Sequence, residues 1–189
     1  MKIVVTPRGF AKCGLNNVAI MEEAGFSVEY NDTGNAYTKE EFYQKTEDAD
    51  GVIVGVEIVD KAFIDAHPKM KAVVKFGVGT DNIDVEYCKQ KGIFVGRTVG
   101  SNSRSVAETA ISFVIADSKN LFESIADTRA YGWSKMTGYE IEGKAIGIAG
   151  FGAIGRKVAR MAYGLGMKVL AYDPYYIDEE TVKAFDVEV

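Results

Sequence analysis

Apolar residues in this chain fall into short continuous runs separated by segments of helical period. Lys2–Thr6, Phe26–Tyr30, Gly51–Val56, Met70–Phe76 and Ile93–Val95 are dominated by Val, Ile and Phe, the composition of strands buried on both faces of a parallel sheet. Helices are predicted between them, at Leu15–Ala24 (stopped by Gly25), Thr38–Thr46, Lys61–Ala66 and Val85–Lys91. Thr38 and Glu41 have the spacing of a capping box. Strands alternating with helices through about residue 98 predict a small doubly wound α/β domain. The longest helical pattern follows, at about 103–127. Ser105-Val-Ala-Glu108 has capping-box spacing, and Ala107, Ile111, Val114, Leu121 and Ile125 keep the period. Val106, Ala110 and Phe113 widen the stripe, so burial on more than one side is expected, as a domain connection, a subunit interface or both. A polar link, Thr128–Lys135, leads onward.

A second strand–helix–strand unit begins with Ala145–Ala149, read as a buried strand. It enters Gly150-Phe-Gly-Ala-Ile-Gly155 and then a helix with Ile154, Val158, Met161 and Ala162 on one face and Arg156, Lys157 and Arg160 on another, ending near Gly164. Met167–Tyr172 is the next strand, with Asp173 at its tip, and Asp186–Val189 begins a third. Each glycine has a physical job: Gly150 for the tight turn, Gly152 for close approach of backbone to a pyrophosphate, Gly155 for close helix–strand packing. Unpaired N–H groups at the helix start favour an anion. Asp173, about 20 residues on, suits the adenosine ribose hydroxyls and would repel a 2′-phosphate, which favours NAD over NADP. A glycine turn alone is also a common structural device; strand before, amphipathic helix after and acid at the right distance favour the dinucleotide.

Composition adds bounds. The 189 residues suffice for one large or two small domains, and 47% hydrophobic with 26% charged residues is ordinary for a globular protein. A net charge of −5 argues against nucleic acid and against an anionic membrane as partner. Cys13 and Cys88, outside any C-x-x-C spacing, read as reduced thiols of a cytoplasmic protein. No apolar run approaches spanning length, and the N-terminus reads as a first strand rather than a signal peptide. No metal-ligand spacing is present.

Three blocks, Lys75–Asp84, Gly100–Glu108 and Gly143–Gly155 continued to Asp173-Pro174, resemble the NAD-dependent D-2-hydroxyacid dehydrogenases, the family that includes D-lactate, glycerate and phosphoglycerate dehydrogenases. The resemblance implies a flavodoxin-like doubly wound substrate-binding domain over 1–98. It also implies the first part of a Rossmann dinucleotide-binding domain over 99–189, with the helix of about 103–127 as connection and interface. By this likeness the backbone amides of Phe76, Gly77, Val78 and Gly79 hold the carboxylate of a small 2-hydroxy or 2-oxo acid. A tight turn served by Asp81 and Asn82 is the plainer reading of those residues. Lys75 either helps hold an anionic substrate or reaches solvent. Asn102 matches a substrate contact or starts a helix, and Val106 lines the nicotinamide pocket or a core. The NAD residues implied are Gly150, Gly152, Ala153, Ile154, Gly155, Asp173 and Pro174. The chain departs from the family pattern at Val99, where proline is frequent, at Ala153, where many relatives carry arginine, and at Glu57. Phosphoglycerate enzymes commonly have arginine there, and a carboxylate would repel a phosphorylated substrate.

The family's chemistry is hydride transfer to or from nicotinamide, with an arginine on the substrate, a histidine as acid/base and a glutamate tuning it. Those positions lie beyond Asp173 in the family and are not matched in this chain. The one histidine, His67, matches no catalytic position. The expectation is therefore a dehydrogenase lineage with no catalytic residue in this chain, C-terminally truncated and inactive as given, or else a non-catalytic NAD-binding or dimerisation fragment. An adenosylmethionine-dependent transferase would share the glycine turn and acid but leaves the other two blocks unexplained. A homodimer built on the 103–127 helix and the nucleotide unit is expected.

Overall fold

The computed structural model describes residues 1–175, 179–184 and 186–188, which form two compact units, Met1–Val99 and Gly100–Val189. In the first, five strands, β1 (Lys2–Val5), β2 (Ser27–Tyr30), β3 (Gly51–Val54), β4 (Ala72–Lys75) and β5 (Phe94–Arg97), make one parallel sheet in the order β2-β1-β3-β4-β5. The register pairs Val4 with Val52 and Val52 with Val73, stacking β-branched residues across the sheet. Helices α1 (Phe10–Cys13), α2 (Leu15–Glu23), α3 (Lys39–Thr46), α4 (Lys61–Ala66) and α5 (Val85–Gln90) connect them. The alternating strands and helices predicted from the sequence are all present, with α1 as an addition.

Both sheet faces are covered, which is why these strands read as continuous apolar runs. Val4, Val52, Val54 and Val73 pack with Phe42, Phe63 and Ile64 on one side, while Val5 packs with Phe10 and Val18 on the other. Burying each of these large side chains contributes about 1.5–3 kcal/mol. Phe42 and Phe63 stack with centroids 4.5 Å apart. His67 belongs to this core: it is buried and stacks on Phe63, with Nδ1 2.7 Å from Phe63 O and Nε2 3.0 Å from Thr46 Oγ1. The predicted capping box at Thr38 forms with both of its hydrogen bonds.

The second unit corrects the long helix. It is two helices, α6 (Ser103–Ser118) and α7 (Leu121–Arg129). Asn120 between them is left-handed (φ 49°), and its side chain donates to Thr137 O at 2.9 Å. Tyr139 N–H donates to Ser118 O, and Lys119 Nζ to Tyr139 O, so the returning chain takes up the broken helix end. The Ser105–Glu108 capping box does not form. The helix starts directly after a turn at Gly100 (φ 78°), and Glu108 instead accepts from Arg104 Nε at 2.9 Å. The wide apolar stripe is buried only along Ala107, Ile111 and Ala116, while Val106, Phe113, Leu121 and Ile125 are exposed.

Next come β6 (Ala145–Ala149), α8 (Ala153–Gly164), β7 (Lys168–Tyr172), α9 (Glu179–Ala184) and β8 (Val187–Glu188). Among the described residues the strands form a parallel sheet in the order β6-β7-β8. The third strand expected at 186–189 is thus present as β8, and its last residue, Val189, lies outside the described residues. Ala107 and Ile111 of α6 meet Val158, Ala159 and Ala162 of α8, small side chains that let the helices approach closely. One sheet face is covered in this way. On the other, Ala145, Gly147, Ala149, Leu170 and Tyr172 are exposed, so β6, predicted as a fully buried strand, is buried on one side only.

Candidate dinucleotide and carboxylate sites

The glycine turn joins β6 to α8, and its geometry gives each glycine a distinct reason. Gly150 has φ 96°, a conformation that side chains disfavour. A Cβ on Gly155 would strike the Gly150 carbonyl oxygen and lie 3.2 Å from Ile148 Cγ2, so the helix can sit this close to the strand only with glycine there. A Cβ on Gly152 would meet nothing within 4 Å, leaving an open approach to the turn. The N–H groups of Gly152, Ala153 and Ile154 have no acceptor among the described residues. They stand at the positive end of a 12-residue helix, where an anion is favoured.

Asp173 is tied directly to this turn. Its Oδ2 accepts from Phe151 N–H at 2.6 Å and its Oδ1 from Tyr175 N–H at 2.9 Å. The Tyr175 and Phe151 amides hold its carboxyl below the usual carboxylate range. The depressed value means that Asp173's contribution to order is complete above its unfolded pKa, near 4, and is lost as pH falls through the lowered value. The turn, the helix start and the acid are therefore brought together as the sequence predicts. Pro174 follows on the surface, and Ile154 at the helix start is 40% exposed, less covered than Val158 and Ala162 of the apolar face.

Sequence reasoning missed two residues that hold this arrangement. Phe151, one of the variable positions in the glycine turn, is buried. Arg156, read as part of a polar face, is half-buried: its Nε donates to Phe151 O at 3.2 Å, its Nη1 to Thr181 Oγ1 at 3.0 Å, and its guanidinium lies 5.9 Å from the Phe151 ring centroid. The large apolar residue between two glycines was the available signal. Such a side chain cannot stay in solvent beside an open loop without cost.

In the first unit, the segment after β4 is partly spent on itself. Phe76 N–H donates to Val54 O and Gly77 N–H to Lys75 O, which leaves Val78 and Gly79 N–H as the donors without an acceptor among the described residues. Gly77 has φ 147°, and its carbonyl accepts from Thr98 N–H and Oγ1. Lys75 turns inward and is partly buried: its Nζ donates to Gly55 O and Asn82 Oδ1, both at 2.6 Å, and Asn82 in turn donates to the carbonyls of Gly55 and Glu57. Lys75 and Asn82 thus fasten the β3 and β4 loops to each other. Glu57 folds inward and accepts from Gly55 N–H at 2.8 Å. Asn102 stands at the start of α6 without a side-chain cap bond, and Val106 is exposed on α6. Cys13 and Cys88 are free thiols. Among the described residues no helix is long and apolar enough to cross a membrane.

Known proteins match this chain over most of its length. The family model described as D-isomer specific 2-hydroxyacid dehydrogenase, catalytic domain, matches residues 11–188. The D-3-phosphoglycerate dehydrogenase of Methanocaldococcus jannaschii is 35% identical over 176 residues, covering 91% of this chain and 32% of the relative. The glyoxylate reductase of Thermococcus kodakarensis is 34% identical over 167 residues, covering 83% of this chain and 50% of that protein. Among solved structures, the NAD+-bound 3-phosphoglycerate dehydrogenase of Entamoeba histolytica matches with TM-score 0.78 and 36% identity, over 95% of this chain and 56% of that one. The chain therefore spans between about a quarter and nearly two thirds of the relatives and solved structures it matches. Their parallel α/β dehydrogenase domain fold is the fold found here.

Proposed function

The chain belongs to the family of D-isomer specific 2-hydroxyacid dehydrogenases, and we propose that it carries two of that family's binding elements, a cradle for the diphosphate and adenosine of NAD and an anchor for a substrate carboxylate. The observation that carries the first is the 2.6 Å bond from Phe151 N–H to Asp173, which locks the acid beside a turn whose next three amides have no acceptor among the described residues. Gly152, Ala153 and Ile154 would donate to the diphosphate, and the Asp173 carboxylate would accept from the ribose hydroxyls and disfavour a 2′-phosphate. Arg156 and Phe151 hold the turn in shape. The second element is Val78 and Gly79, whose amides converge on an anion while Lys75 and Asn82 keep their loop in place.

Bound NAD supplies the hydride acceptor for oxidation of a 2-hydroxy acid, or as NADH the donor for reduction of a 2-oxo acid. The whole dehydrogenase acts on such a small acid; the relatives include both phosphoglycerate dehydrogenases and glyoxylate reductases, and the carboxylate that Glu57 places in the β3–α4 loop favours the unphosphorylated substrate. The histidine that such chemistry needs is missing from both elements, since the one histidine, His67, is sealed in the core of the first unit. These residues therefore bind cofactor and carboxylate, and the 189-residue chain does not turn over on its own. The exposed Phe113, Phe122 and Ile125 of α6 and α7 support pairing of two copies along that surface, and the free thiols support a cytoplasmic setting.

Titration with NADH and NADPH, followed by nicotinamide fluorescence, tests the reading. NADH should bind at least tenfold more tightly, and Asp173→Ala should narrow the gap. Equal affinity for the two cofactors would contradict the role of Asp173, and oxidation of NADH by the chain with glyoxylate would contradict its lack of an acid/base. A monomer in sedimentation equilibrium would contradict the pairing.

A further inference from the structure

We propose that the end of β5 aims the carboxylate anchor of the first unit. Arg97 and Thr98 are positioning residues that hold two successive carbonyls of the loop after β4, and so turn the Val78 and Gly79 N–H groups outward together. This role rests on the carboxylate anchor proposed above. β5 lies parallel to β4 with Arg97 opposite Lys75, which brings the residues leaving the two strands side by side. Gly77 O accepts from Thr98 N–H and from Thr98 Oγ1, both at 3.0 Å. The next carbonyl, Val78 O, accepts from Arg97 Nη1 at 3.5 Å. In a planar trans peptide the N–H points opposite to the C=O, and no peptide bond among the described residues is cis. The Gly77–Val78 and Val78–Gly79 peptides are thus both held by their oxygens on the β5 side, and both N–H groups face away from it.

The conformation of Gly77 makes this division possible. At φ 147°, closed to most side chains, its carbonyl turns to β5 while Phe76 N–H stays with Val54 O and Gly77 N–H with Lys75 O. Four consecutive amides therefore split into two that are spent within the fold and two that face out. Arg97 brings charge as well as direction. Its guanidinium is exposed, and no carboxylate among the described residues pairs with it. A cation on a carbonyl oxygen polarises the amide beyond it, which makes the Gly79 N–H a stronger donor. The surroundings call for that help. A Cβ on Gly79 would lie 3.0 Å from Asp81 Oδ2, so an anion at this loop has a negative neighbour, which the Arg97 charge offsets. Lys75 spends its hydrogen bonds on Gly55 O and Asn82 Oδ1 instead.

Amide proton–nitrogen NMR of the intact chain, titrated with glycolate, tests this role. Glycolate should move the Val78 and Gly79 resonances. Arg97→Met should weaken glycolate about threefold to tenfold, the scale of one hydrogen bond, and Arg97→Lys should restore most of the affinity. In the free chain Arg97→Met should shift the Gly79 amide nitrogen far more than that of Val78, and Thr98→Val should do the reverse, since each side chain acts on one carbonyl. General loosening of the loop would not divide in this way. Arg97 is exposed, so its variants should keep the far-UV spectrum of the parent. Unchanged glycolate affinity or an unmoved Gly79 nitrogen in Arg97→Met, with both amides still responding to glycolate, would overturn the role of Arg97 and leave the anchor standing. No response of either amide in the unaltered chain would overturn the anchor and this role with it.

Discussion

Replacing Gly155 by alanine should destabilise the second unit, although alanine is the better helix former. In a helix interior, the change from glycine to alanine contributes about 0.5–1 kcal/mol of stability. At Gly155 the new methyl would collide with the Gly150 carbonyl oxygen, and it would lie 3.2 Å from both the Gly150 carbonyl carbon and Ile148 Cγ2. Two of these three atoms are backbone, so no rotamer change relieves the contact, and β6 and α8 must separate. Overpacking of that kind costs about 1–3 kcal/mol, which outweighs the propensity gain and leaves a net loss of about 1–2 kcal/mol. At Gly164, on the same helix, an added methyl would meet nothing within 4 Å and φ is not positive, so Gly164→Ala should be neutral or stabilising by up to about 1 kcal/mol. Urea melts followed by far-UV circular dichroism should show the two variants moving in opposite directions, with Gly155→Ala lower in midpoint by about 0.5–1 M at a slope of about 2 kcal/mol/M. If both shift the same way, the close strand–helix approach assigned to Gly155 is wrong.

Two further outcomes follow from other parts of the fold. Tyr87 donates to Asp65 at 2.7 Å and, with Lys91 and Lys61, holds that carboxyl down at about 2. Tyr87→Phe should raise it toward the ordinary value of 3.8, read by NMR titration of the Asp65 carboxyl carbon. Because the folded value is the lower one, the α4–α5 contact should be fully stabilised above about pH 4 and weaken as pH falls toward 2, and an unchanged Asp65 titration in the variant would refute the assignment. Asn120→Val should cost about 1–2 kcal/mol by forcing a β-branched residue into the left-handed region and removing the bond to Thr137 O, whereas Asn120→Gly should cost less. Thermal melts of the two variants check the order.

The first unit was legible in the sequence because its signals agree at every level. Val4, Val52 and Val73 are apolar in runs because both sheet faces are covered, and Thr38–Glu41 marks a real helix start. The second unit was harder to read. The apolar period runs through Ala107, Ile111, Leu121 and Ile125 as though the helix were continuous, but the break at Asn120 depends on hydrogen bonds that Lys119 and Asn120 donate to the carbonyls of Tyr139 and Thr137, which periodicity cannot register. Ser105 and Glu108 had the right spacing for a cap, yet Arg104 sits one turn before Glu108 and takes it. At the site, the glycines and Asp173 were visible as a motif. The inward turn of Arg156 was not, since a basic residue on a helix face has the same pattern whether it reaches water or a neighbouring carbonyl. Lys75 likewise gave no sign in the sequence that its ammonium would be spent on Gly55 and Asn82.

In the proposed complex, the amides of Gly152, Ala153 and Ile154 are what the cofactor's diphosphate meets. Residue-resolved amide hydrogen exchange with and without NAD tests it most directly. Exchange should slow at those three amides, with the Phe151 amide already protected by Asp173 in the free chain. NAD binding that leaves exchange at all three unchanged would contradict it.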